Sequence, residues 1–456
     1  MKMNNVIFRE YDIRGIYNED FDLDFAELLG RGLVTFFLKK RNIKNPTITI
    51  GYDARLSSPD IAQSLAKGIL KSGGNVIHLG LVTTPISYFS TFSMDQVDGS
   101  FMVTGSHNPP EYNGFKVSVG KTTIFGEEIQ ELGRIVIDQD FLEGGGTETT
   151  FNIFPSYLER YREEFKEMKN VPVVIDCGNG AAGCIARDLY TAANLNPVVL
   201  FEEPDGRFPN HHPDPTVEHN LEDLKKAVIE NKAIAGIGFD GDADRIGLVD
   251  NEGTMIYGDE LIALCCMDIL EKHPGEPIIG DVKCSDRLYD HIARHGGKPI
   301  MWMTGHSLIK NKIKSESAPF GGELSGHIFF ADRNYGYDDA LYAGLRVIEV
   351  LSKSGKTVKE LLKEFPKAYN TPEIRIDTTE EKKYAIVDKL KEIYSEDTDE
   401  YKINLIDGVR ISFKNGWALA RASNTQPVLV LRFEALSEKG LNEIREKIES
   451  IVRPML

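Results

Sequence analysis

The sequence predicts an α/β protein in which three related α/β domains and a C-terminal α+β domain surround one central cleft. Three observations support this prediction: short apolar runs alternate with amphipathic stretches, a strand–turn–helix pattern occurs three times, and closely spaced strands replace the alternation near the C-terminus. The chain has 456 residues, of which 41% are hydrophobic. At ~100–200 residues per domain it has room for two to four domains.

Apolar runs and amphipathic stretches alternate along most of the chain. Runs rich in β-branched and aromatic residues predict strands, and apolar residues at helical spacing predict helices. The predicted strands are Ile48–Ile50, Val97–Val103, Val171–Ile175, Val198–Phe201, Ala235–Phe239 and Pro277–Ile279. The predicted helices are Ile61–Ser72, Cys184–Ala193, Leu221–Asn231 and Asp339–Ser352. Such alternation is typical of parallel or mixed sheets covered by helices.

A weak internal repeat divides this region into three. An apolar strand enters an Asp-bearing turn and then a helix in ITIGYDARLSSPDIA, in VVIDCGNGAAGCIA and in PIIGDVKCSDRLYD. Each copy is followed later by a polar, glycine-bearing loop, namely TGSHNPP, DGDADR and GGELSGH. The simplest interpretation is three related α/β units that each contribute one loop to a shared cleft, although βα units also resemble one another by chance.

The C-terminal region predicts an antiparallel sheet closed by a helix, which is an α+β module. The predicted strands are Ile374–Thr378, Val409–Phe413, Ala418–Arg421 and Val428–Phe433, and the predicted helix is Glu443–Val452. Glycine, proline and polar residues cluster near Gly144–Thr147, Gly253–Gly258 and Pro366–Pro372. We therefore expect domains at 1–150, 151–255, 256–369 and 370–456.

The composition excludes several classes of function. The formal net charge of −17 is the opposite of the basic surface that nucleic-acid binders present, so an anionic small molecule would need a local cationic pocket. Five cysteines without a C-x-x-C pair indicate reduced thiols and a cytoplasmic location. The N-terminal MKMNNVIFREYDIRG has no apolar signal region, and no run of ~18 apolar residues predicts a membrane span. We expect a monomer or a small homo-oligomer with neither nucleic-acid nor membrane partners.

The second copy of the repeat has the glycine spacing of a dinucleotide site. Gly178, Gly180 and Gly183 follow the G-x-G-x-x-G pattern between a strand and a helix, and Glu202 and Glu203 come about 20 residues later. The same glycines would also allow a helix to pack closely on the strand, and these residues alone leave both interpretations open. A complete dinucleotide fold needs a second mononucleotide-binding half, which the following units do not obviously supply.

The loop FDGDADR places Asp240, Asp242 and Asp244 on alternate residues. In an extended segment alternate side chains point the same way, so the three carboxylates can converge. Three hard oxygen ligands suit Mg²⁺, which commonly keeps positions for water or a phosphate oxygen. A solvated turn is the alternative. We favour a metal site because apolar strands on both sides hold these mutually repelling carboxylates within folded structure.

The other three loops carry polar side chains whose individual roles are ambiguous. Ser106 in TGSHNPP is either an N-cap serine in a Gly/Pro turn or a phosphoryl carrier that would need a nearby metal. GGELSGH either presents Glu323, Ser325 and His327 to sugar hydroxyls or forms a glycine-rich turn. RASNTQP joins two strands and suits either a phosphate dianion or an ordinary hairpin. Its candidate phosphate donors are Arg421, Ser423, Asn424 and Thr425.

Cations for a phosphate pocket are available near the N-terminus. FREYDIRG brings Arg9, Tyr11 and Arg14 close together in the chain, and GYDAR adds Arg55. Surface arginines are common, so none of these residues is informative alone.

Together these motifs resemble those of the α-D-phosphohexomutase family. TGSHNPP resembles its phosphoserine loop, DGDADR its metal loop, GGELSGH its sugar loop and RASNTQP its phosphate loop, and the order matches over essentially the whole chain, including FREYDIRG. GELSGH and RASNTQP are most similar to the phosphomannomutase/phosphoglucomutase branch, whereas phosphoglucosamine mutases more usually have Gln in the sugar loop and S-G-T in the phosphate loop. The resemblance implies four domains around one cleft and reassigns GNGAAG to a turn of the second domain.

The resemblance also implies a mechanism. Phospho-Ser106 passes its phosphoryl group to the 1- or 6-hydroxyl of a hexose monophosphate, a hexose 1,6-bisphosphate forms and turns over in the cleft, and the other phosphate returns to the serine. Mg²⁺ held by Ser106, Asp240, Asp242 and Asp244 would neutralise charge at the transferring oxygens. The implied catalytic residues are Ser106, His107, Lys116, Arg245 and His327. His107 positions the serine loop, the general base is left open, and Arg245 is assigned to electrostatics because its pKa above ~12 makes it a poor proton carrier.

Substrate recognition is the part of this function that the sequence leaves most open. The implied substrate contacts are Tyr11, Arg14, His306, Glu323, Ser325, Arg421, Ser423, Asn424 and Thr425. Met303 in MWMTGHSLIK stands where the branch often has Lys, and Lys310 or Lys312 would have to replace a cationic contact there. The preferred sugar among mannose, glucose and glucosamine is therefore open. Phosphoglucosamine mutase is the nearest alternative; an NAD-dependent oxidoreductase using GNGAAG and a non-catalytic sugar-phosphate binding protein are more remote.

Overall fold

The computed structural model describes residues 2–423 and 427–456, and over these residues the strands form four sheets. The sheets follow one another along the chain. We number the four units that contain them in chain order. The predicted fold class, α/β units followed by an α+β unit, is confirmed.

The first unit is a mixed sheet flanked by helices. Its strands are β1 (Ile13–Ile16), β2 (Thr47–Tyr52), β3 (Asn75–Leu81), β4 (Gly99–Val103), β5 (Tyr112–Val119), β6 (Thr122–Thr123) and β7 (Glu148–Thr150). Its helices are α1 (Leu23–Arg41), α2 (Ser58–Lys71), α3 (Thr84–Ser93) and α4 (Glu127–Asp138). The strand order is β1-β5-β4-β2-β3-β7, with β6 beside β5.

The second unit contains a smaller mixed sheet in the order β12-β11-β10-β8-β9. Its helices and strands are α5 (Phe154–Glu164), β8 (Val173–Asp176), α6 (Ala186–Ala192), β9 (Val198–Leu200), α7 (Glu222–Glu230), β10 (Ala235–Phe239), β11 (Ile246–Asp250) and β12 (Met255–Ile256). The predicted helix Cys184–Ala193 is present as α6 but begins two residues later, because a short 3₁₀ helix (Ala181–Cys184) ends where Ile185 leaves helical geometry, with φ at −147°.

The third unit has the sheet order β14-β13-β15-β16. Its elements are α8 (Gly258–Lys272), β13 (Pro277–Asp281), α9 (Asp286–Arg294), β14 (Lys298–Trp302), α10 (His306–Glu316), β15 (Phe320–Gly322), β16 (Ile328–Phe330), α11 (Ala340–Ser354) and α12 (Val358–Leu361). None of the helices in the described part of the chain is long and apolar enough to cross a membrane.

The first three units share one strand connection. In each, a strand that pairs in parallel with a neighbour ends in a polar loop, and the next strand returns antiparallel beside it: β4 to β5, β10 to β11, and β15 to β16. The three loops are TGSHNPP, DGDADR and GGELSGH. The weak repeat in the sequence therefore reflects a repeated piece of structure, and it places one polar loop of each unit at the end of a buried strand.

The fourth unit is antiparallel. Its elements are β17 (Tyr369–Asn370), β18 (Ile374–Asp377), α13 (Glu380–Ile393), β19 (Tyr401–Asn404), β20 (Val409–Phe413), β21 (Gly416–Ala422), β22 (Val428–Ala435) and α14 (Glu438–Val452). It has its own apolar core and meets the third unit through buried charged groups. The Arg410 guanidinium lies 3.7 Å from the centre of the Trp417 ring and donates to the carbonyls of Val282 and Cys284.

One apolar core runs through the first three units and includes Met102, Ile237 and Ile262. At the contact of the second and third units, Gly344 of α11 lies against Tyr190 of α6. A Cβ on Gly344 would lie 2.0 Å from the Tyr190 hydroxyl oxygen and 2.9 Å from Ile237 Cδ1. A side chain at this position would therefore push apart two units whose loops must meet.

We expect Gly344→Ala to lower the free energy of unfolding by about 1–3 kcal/mol, because overpacking outweighs the ~1 kcal/mol that alanine gains within a helix. Tyr190→Phe removes the clashing hydroxyl, so Gly344→Ala should cost less in that background. Urea unfolding of the single and double variants measures both costs. Equal costs in the two backgrounds would contradict this explanation.

Candidate active site

The loop between β10 and β11 gathers three buried carboxylates. Asp240, Asp242 and Asp244 each offer an oxygen within 4.8 Å of the others. The predicted convergence is present, but the extended geometry used to argue it is wrong. Ala243 has a left-handed φ of 60°, and its N–H donates to the Asp240 carbonyl. A tight turn, not strand alternation, brings the carboxylates together.

Each carboxylate of this loop keeps one oxygen anchored. Asp240 Oδ1 accepts from the N–H groups of Asp244 and Arg245, and Asp242 Oδ2 accepts from the Thr84 hydroxyl. Asp242 Oδ1 and Asp244 Oδ1 have no hydrogen-bond partner among the described residues. Buried, unpartnered acceptors side by side are costly unless a cation joins them. These residues therefore fit a divalent cation with oxygen ligands.

Lys116 of β5 balances part of the buried negative charge. Its Nζ donates to Asp242 Oδ2 at 2.7 Å and also to Asp244 Oδ2. Burial alone would lower the pKa of Lys116, but the two carboxylates outweigh it and hold that pKa well above its ordinary value. An ammonium group held this firmly protonated is suited to stabilising negative charge rather than to accepting a proton.

Ser106 lies directly against the carboxylate loop. Its hydroxyl donates to Asp240 Oδ2 at 2.9 Å, and His107 Nδ1 lies 3.2 Å from the same hydroxyl oxygen. Ser106 has φ of 51°, a left-handed conformation that is uncommon for serine and is typical of functional sites. Burial, together with Arg245 and Arg14, lowers the pKa of His107 well below its ordinary value. A buried hydroxyl thus faces the carboxylates beside a neutral imidazole.

Arg55 supports the loop that carries Ser106 by donating hydrogen bonds to its backbone. This corrects the sequence interpretation, which placed Arg55 among the cations of a phosphate pocket. Its Nε donates to Asp53, and its two terminal nitrogens donate to the carbonyls of Ser106, Asn108, Pro109 and Tyr112. A Cβ on Gly105 would lie 2.5 Å from the Arg55 guanidinium carbon. The glycine of TGSHNPP is therefore needed so that the guanidinium can lie beneath the loop.

The third unit brings His327 to the same place. His327 Nδ1 donates to Glu323 Oε2 at 2.7 Å, and its Nε2 accepts from Arg245 Nε at 3.2 Å. The other Glu323 oxygen accepts from the Gly305 N–H. Ser325 Oγ lies 3.4 Å from His327 Nδ1. In this conformation Glu323 supports the imidazole and a neighbouring turn with one hydrogen bond to each oxygen, and each oxygen keeps a second lone pair as an acceptor.

The N-terminal segment bridges this site to the third unit. The Tyr11 hydroxyl donates to the Thr304 carbonyl at 2.6 Å, and Gly305 lies so close that its Cβ would be 2.5 Å from the Tyr11 ring. Arg14 donates to the Asn108 side chain of the serine loop at 2.7 Å. Arg9 lies instead near Glu380 of the fourth unit, 4.0 Å away.

The RASNTQP loop is described at residues 421–423 and at Pro427. Buried Arg421 donates from Nε to Asp407 Oδ2 at 3.1 Å, and that oxygen also accepts from the Thr304 N–H of the third unit. The Ser423 carbonyl accepts from Lys383. The candidates Asn424 and Thr425 lie outside the described residues.

Sequence reasoning missed several buried polar residues of the site. Lys283 lies 3.2 Å from Glu373 where the third and fourth units meet, and Asp338 accepts from Lys310 at 2.9 Å and lies 3.3 Å from His306 Nδ1. Position along the chain gave a usable signal for Lys283, which lies two residues after the end of the parallel strand PIIGD. Lys310 and Lys312 were suggested as replacements for a lysine at Met303. Both are already in ion pairs, Lys310 with Asp338 and Lys312 with Glu316.

The GNGAAG turn supports the carboxylate loop. The Ala181 N–H donates to the Gly241 carbonyl, and a Cβ on Gly180 would lie 2.8 Å from that oxygen. A Cβ on Gly183 would lie 1.8 Å from the Glu202 carbonyl oxygen, and the Glu202 side chain pairs with Arg187. Close packing of backbone on backbone explains these glycines, so the dinucleotide interpretation loses its structural support.

Comparisons with known proteins were made over the whole chain. Models of phosphoglucomutase/phosphomannomutase alpha/beta/alpha domains I, II and III and of the C-terminal domain match residues 5–143, 155–253, 257–369 and 373–451. A phosphomannomutase/phosphoglucomutase from Pseudomonas aeruginosa (strain PAO1) is 42% identical, covering 99% of this chain and 95% of the relative. A phosphoglucomutase from Neisseria gonorrhoeae is 40% identical, covering 98% and 96%. A crystal structure of a family protein from Burkholderia thailandensis has a TM-score of 0.90 at 38% identity, covering 99% and 98%.

We expect Arg55→Lys to loosen the serine loop, because lysine keeps the charge but cannot satisfy four carbonyls at once. Each buried carbonyl left unpaired costs about 1–3 kcal/mol. Amide hydrogen exchange over residues 104–112, followed by mass spectrometry, should therefore accelerate by at least about tenfold. Arg207→Lys is the matched control, since Arg207 is exposed and pairs with Asp205. Unchanged exchange in Arg55→Lys, or equal acceleration in the control, would contradict the scaffold role.

Proposed function

The chain belongs to the phosphoglucomutase/phosphomannomutase family, and we propose that it interconverts hexose 1-phosphate and hexose 6-phosphate, with mannose, glucose or both as the sugar. It is an enzyme of this mutase family. The observation that carries the proposal is the buried Ser106 hydroxyl, which donates to Asp240 beside two unpartnered carboxylate oxygens. A hydroxyl nucleophile at a cation site is what phosphoryl transfer through the protein requires.

In the proposed reaction, phospho-Ser106 donates its phosphoryl group to a sugar hydroxyl. The sugar oxygen forms the new bond to phosphorus while the bond from phosphorus to Ser106 Oγ breaks. Asp240, Asp242 and Asp244, together with Ser106, would hold Mg²⁺, which neutralises charge on the transferring group. Lys116 and Arg245 supply fixed positive charge at the same place.

The proton of the attacking hydroxyl needs an acceptor, and we assign this role to His327. Its Nε2 faces the carboxylate loop, 3.4 Å from Asp244 Oδ1, while Glu323 holds Nδ1 and fixes the orientation of the ring. Lys116 is a weaker candidate because its two carboxylate partners keep it protonated. His107 is neutral and within hydrogen-bond distance of Ser106 Oγ, where it orients the serine side chain.

A mutase must hold the second phosphate while the first one moves. Hexose 1,6-bisphosphate is the intermediate on this proposal. It turns over in the cleft so that either phosphate can return to Ser106, and a catalytic amount of added bisphosphate would activate enzyme that lacks the phosphate. Arg421 is suited to holding the phosphate that does not react, since Asp407 fixes its Nε at the junction with the third unit. Tyr11, Arg14, His306, Glu323, Ser325 and Ser423 are the other substrate contacts we propose among the described residues.

The names of the relatives favour mannose and glucose over glucosamine, so phosphoglucosamine mutase becomes the less supported alternative. The cytoplasmic location, the absence of nucleic-acid partners and the monomeric or small oligomeric state stay predictions.

We expect Ser106→Ala to lower turnover by about 10⁴-fold or more, because the phosphoryl carrier is lost. A coupled assay with mannose 1-phosphate, glucose 1-phosphate and glucosamine 1-phosphate, with Mg²⁺ and catalytic hexose 1,6-bisphosphate, measures turnover and sugar preference together. Intact mass should show one phosphate on the wild type and none on the variant. Ser93→Ala, which alters a serine of α3, serves as the control. Near-normal activity of Ser106→Ala would refute the phosphoserine mechanism.

We expect Arg421→Ala to raise KM for both the 1-phosphate and the 6-phosphate of the same sugar, each by at least about tenfold. The reason is that one site holds the non-reacting phosphate in both directions, and a charge-assisted bond is worth about 1.5–3 kcal/mol. Initial rates in the two directions measure the effect. Weakening of only one substrate would show that the two phosphates use separate sites.

A further inference from the structure

A second group of metal-ligating side chains lies beside the carboxylate loop and shares Asp244 with it. Asp244, His327 and Asp338 each offer one ligand atom, and these atoms lie within 4.8 Å of one another. All three residues are buried. Asp244 belongs to the second unit, whereas His327 and Asp338 belong to the third. The group therefore exists only because the two units pack together.

The imidazole of this group is already oriented as a ligand. Glu323 Oε2 accepts from His327 Nδ1 at 2.7 Å, so the lone pair of the ring is on Nε2, which lies 3.4 Å from Asp244 Oδ1. A carboxylate that fixes the far nitrogen of a histidine is the arrangement found behind most metal-bound imidazoles. Arg245 Nε also donates to Nε2, at 3.2 Å, so a bound metal would displace this bond.

The two carboxylates of the group have unused oxygens. Asp244 Oδ1 and Asp338 Oδ2 have no hydrogen-bond partner among the described residues. His306 Nδ1 lies 3.3 Å from Asp338 Oδ2. This nitrogen makes no hydrogen bond with any described residue. The opposite oxygens are held by Lys116 and Lys310. Two lysines thus fix the carboxylates while leaving one buried acceptor of each beside the imidazole.

We propose that Asp244, His327 and Asp338 form a second cation site, selective for a transition metal such as Zn²⁺, which would share Asp244 Oδ1 with the Mg²⁺ set because Lys116 holds the other Asp244 oxygen. One imidazole nitrogen with two carboxylate oxygens suits Zn²⁺ or Co²⁺, whereas the all-oxygen set of Asp240, Asp242 and Asp244 suits Mg²⁺. A metal on Nε2 would remove His327 as a proton acceptor. Zn²⁺ should therefore inhibit turnover even at saturating Mg²⁺, a consequence that rests on the proposed function, although the site itself does not.

Co²⁺ is the probe, since its visible absorption reports ligation directly and does not depend on activity. With saturating Mg²⁺ present, equilibrium dialysis should show one Co²⁺ per wild-type chain, and proton NMR in water should show a hyperfine-shifted exchangeable resonance from the His327 Nδ1–H. His327→Gln and Asp338→Asn should each abolish this binding. His295→Gln, which removes an imidazole outside the cluster, should retain it.

The outcomes separate this inference from the proposed function. Absence of Co²⁺ binding at saturating Mg²⁺, or equal binding in Asp338→Asn, would overturn the inference. If Asp338→Asn does not fold, Glu323→Gln tests the same site, because loss of the orienting carboxylate should weaken Co²⁺ binding by about 10–100-fold. Co²⁺ bound through His327 in a protein without mutase activity would support the site and refute the proposed function.

Discussion

The burial of Asp240, Asp242 and Asp244 in one turn is the constraint on which the rest of the structure depends. Three carboxylates out of water repel one another strongly, so they stay together only where the surroundings compensate. Backbone groups of the turn bond to all three α/β units: Asp242 to Thr84, Gly241 to Ala181, and Ala243 to Ala340. The first and third units therefore contact this turn through the starts of α3 and α11, and the GNGAAG turn supports it within the second unit.

The repeated strand connection explains why these loops can meet. A parallel strand buried on both faces ends at one edge of its sheet, and an antiparallel return strand keeps the connecting loop short and anchored at both ends. β4, β10 and β15 each end in this way. Three short, anchored loops can hold a hydroxyl, a carboxylate cluster and an imidazole within a few ångströms, with little freedom for any of them to drift.

Charge is distributed unevenly in this protein. The chain carries a net charge of −17, yet several of its buried cations lie around the site. Lys116 pairs with two carboxylates there, Lys283 and Arg421 lie where the third and fourth units meet, and Arg55 holds the serine loop. An acidic surface favours solubility, whereas the buried cations create the local field that an anionic substrate needs. Only some of these cations face the cleft, because others act as structural donors to backbone carbonyls.

The sequence alone determined the fold class and the order of the units, and it selected three loops that the structure brings together. These features are local, since strand and helix periodicity, glycine turns and carboxylate spacing lie within a few consecutive residues. The predicted helices did not include α1, α3, α4, α5, α8, α10, α12 or α13. The carboxylates converge through a turn rather than through an extended loop.

Only the tertiary structure decided which polar residues act together. Arg55 lies under the serine loop and Asp338 lies beside Asp244, and both contacts join residues far apart in the chain. Glu323 supports His327 from only four residues away, but the direction of its side chain is set by the fold. The structure also decided the role of GNGAAG, because its glycines allow one backbone segment to lie close against another. Spacing along a chain records local geometry, whereas partners brought together by packing leave no periodic signal in the sequence.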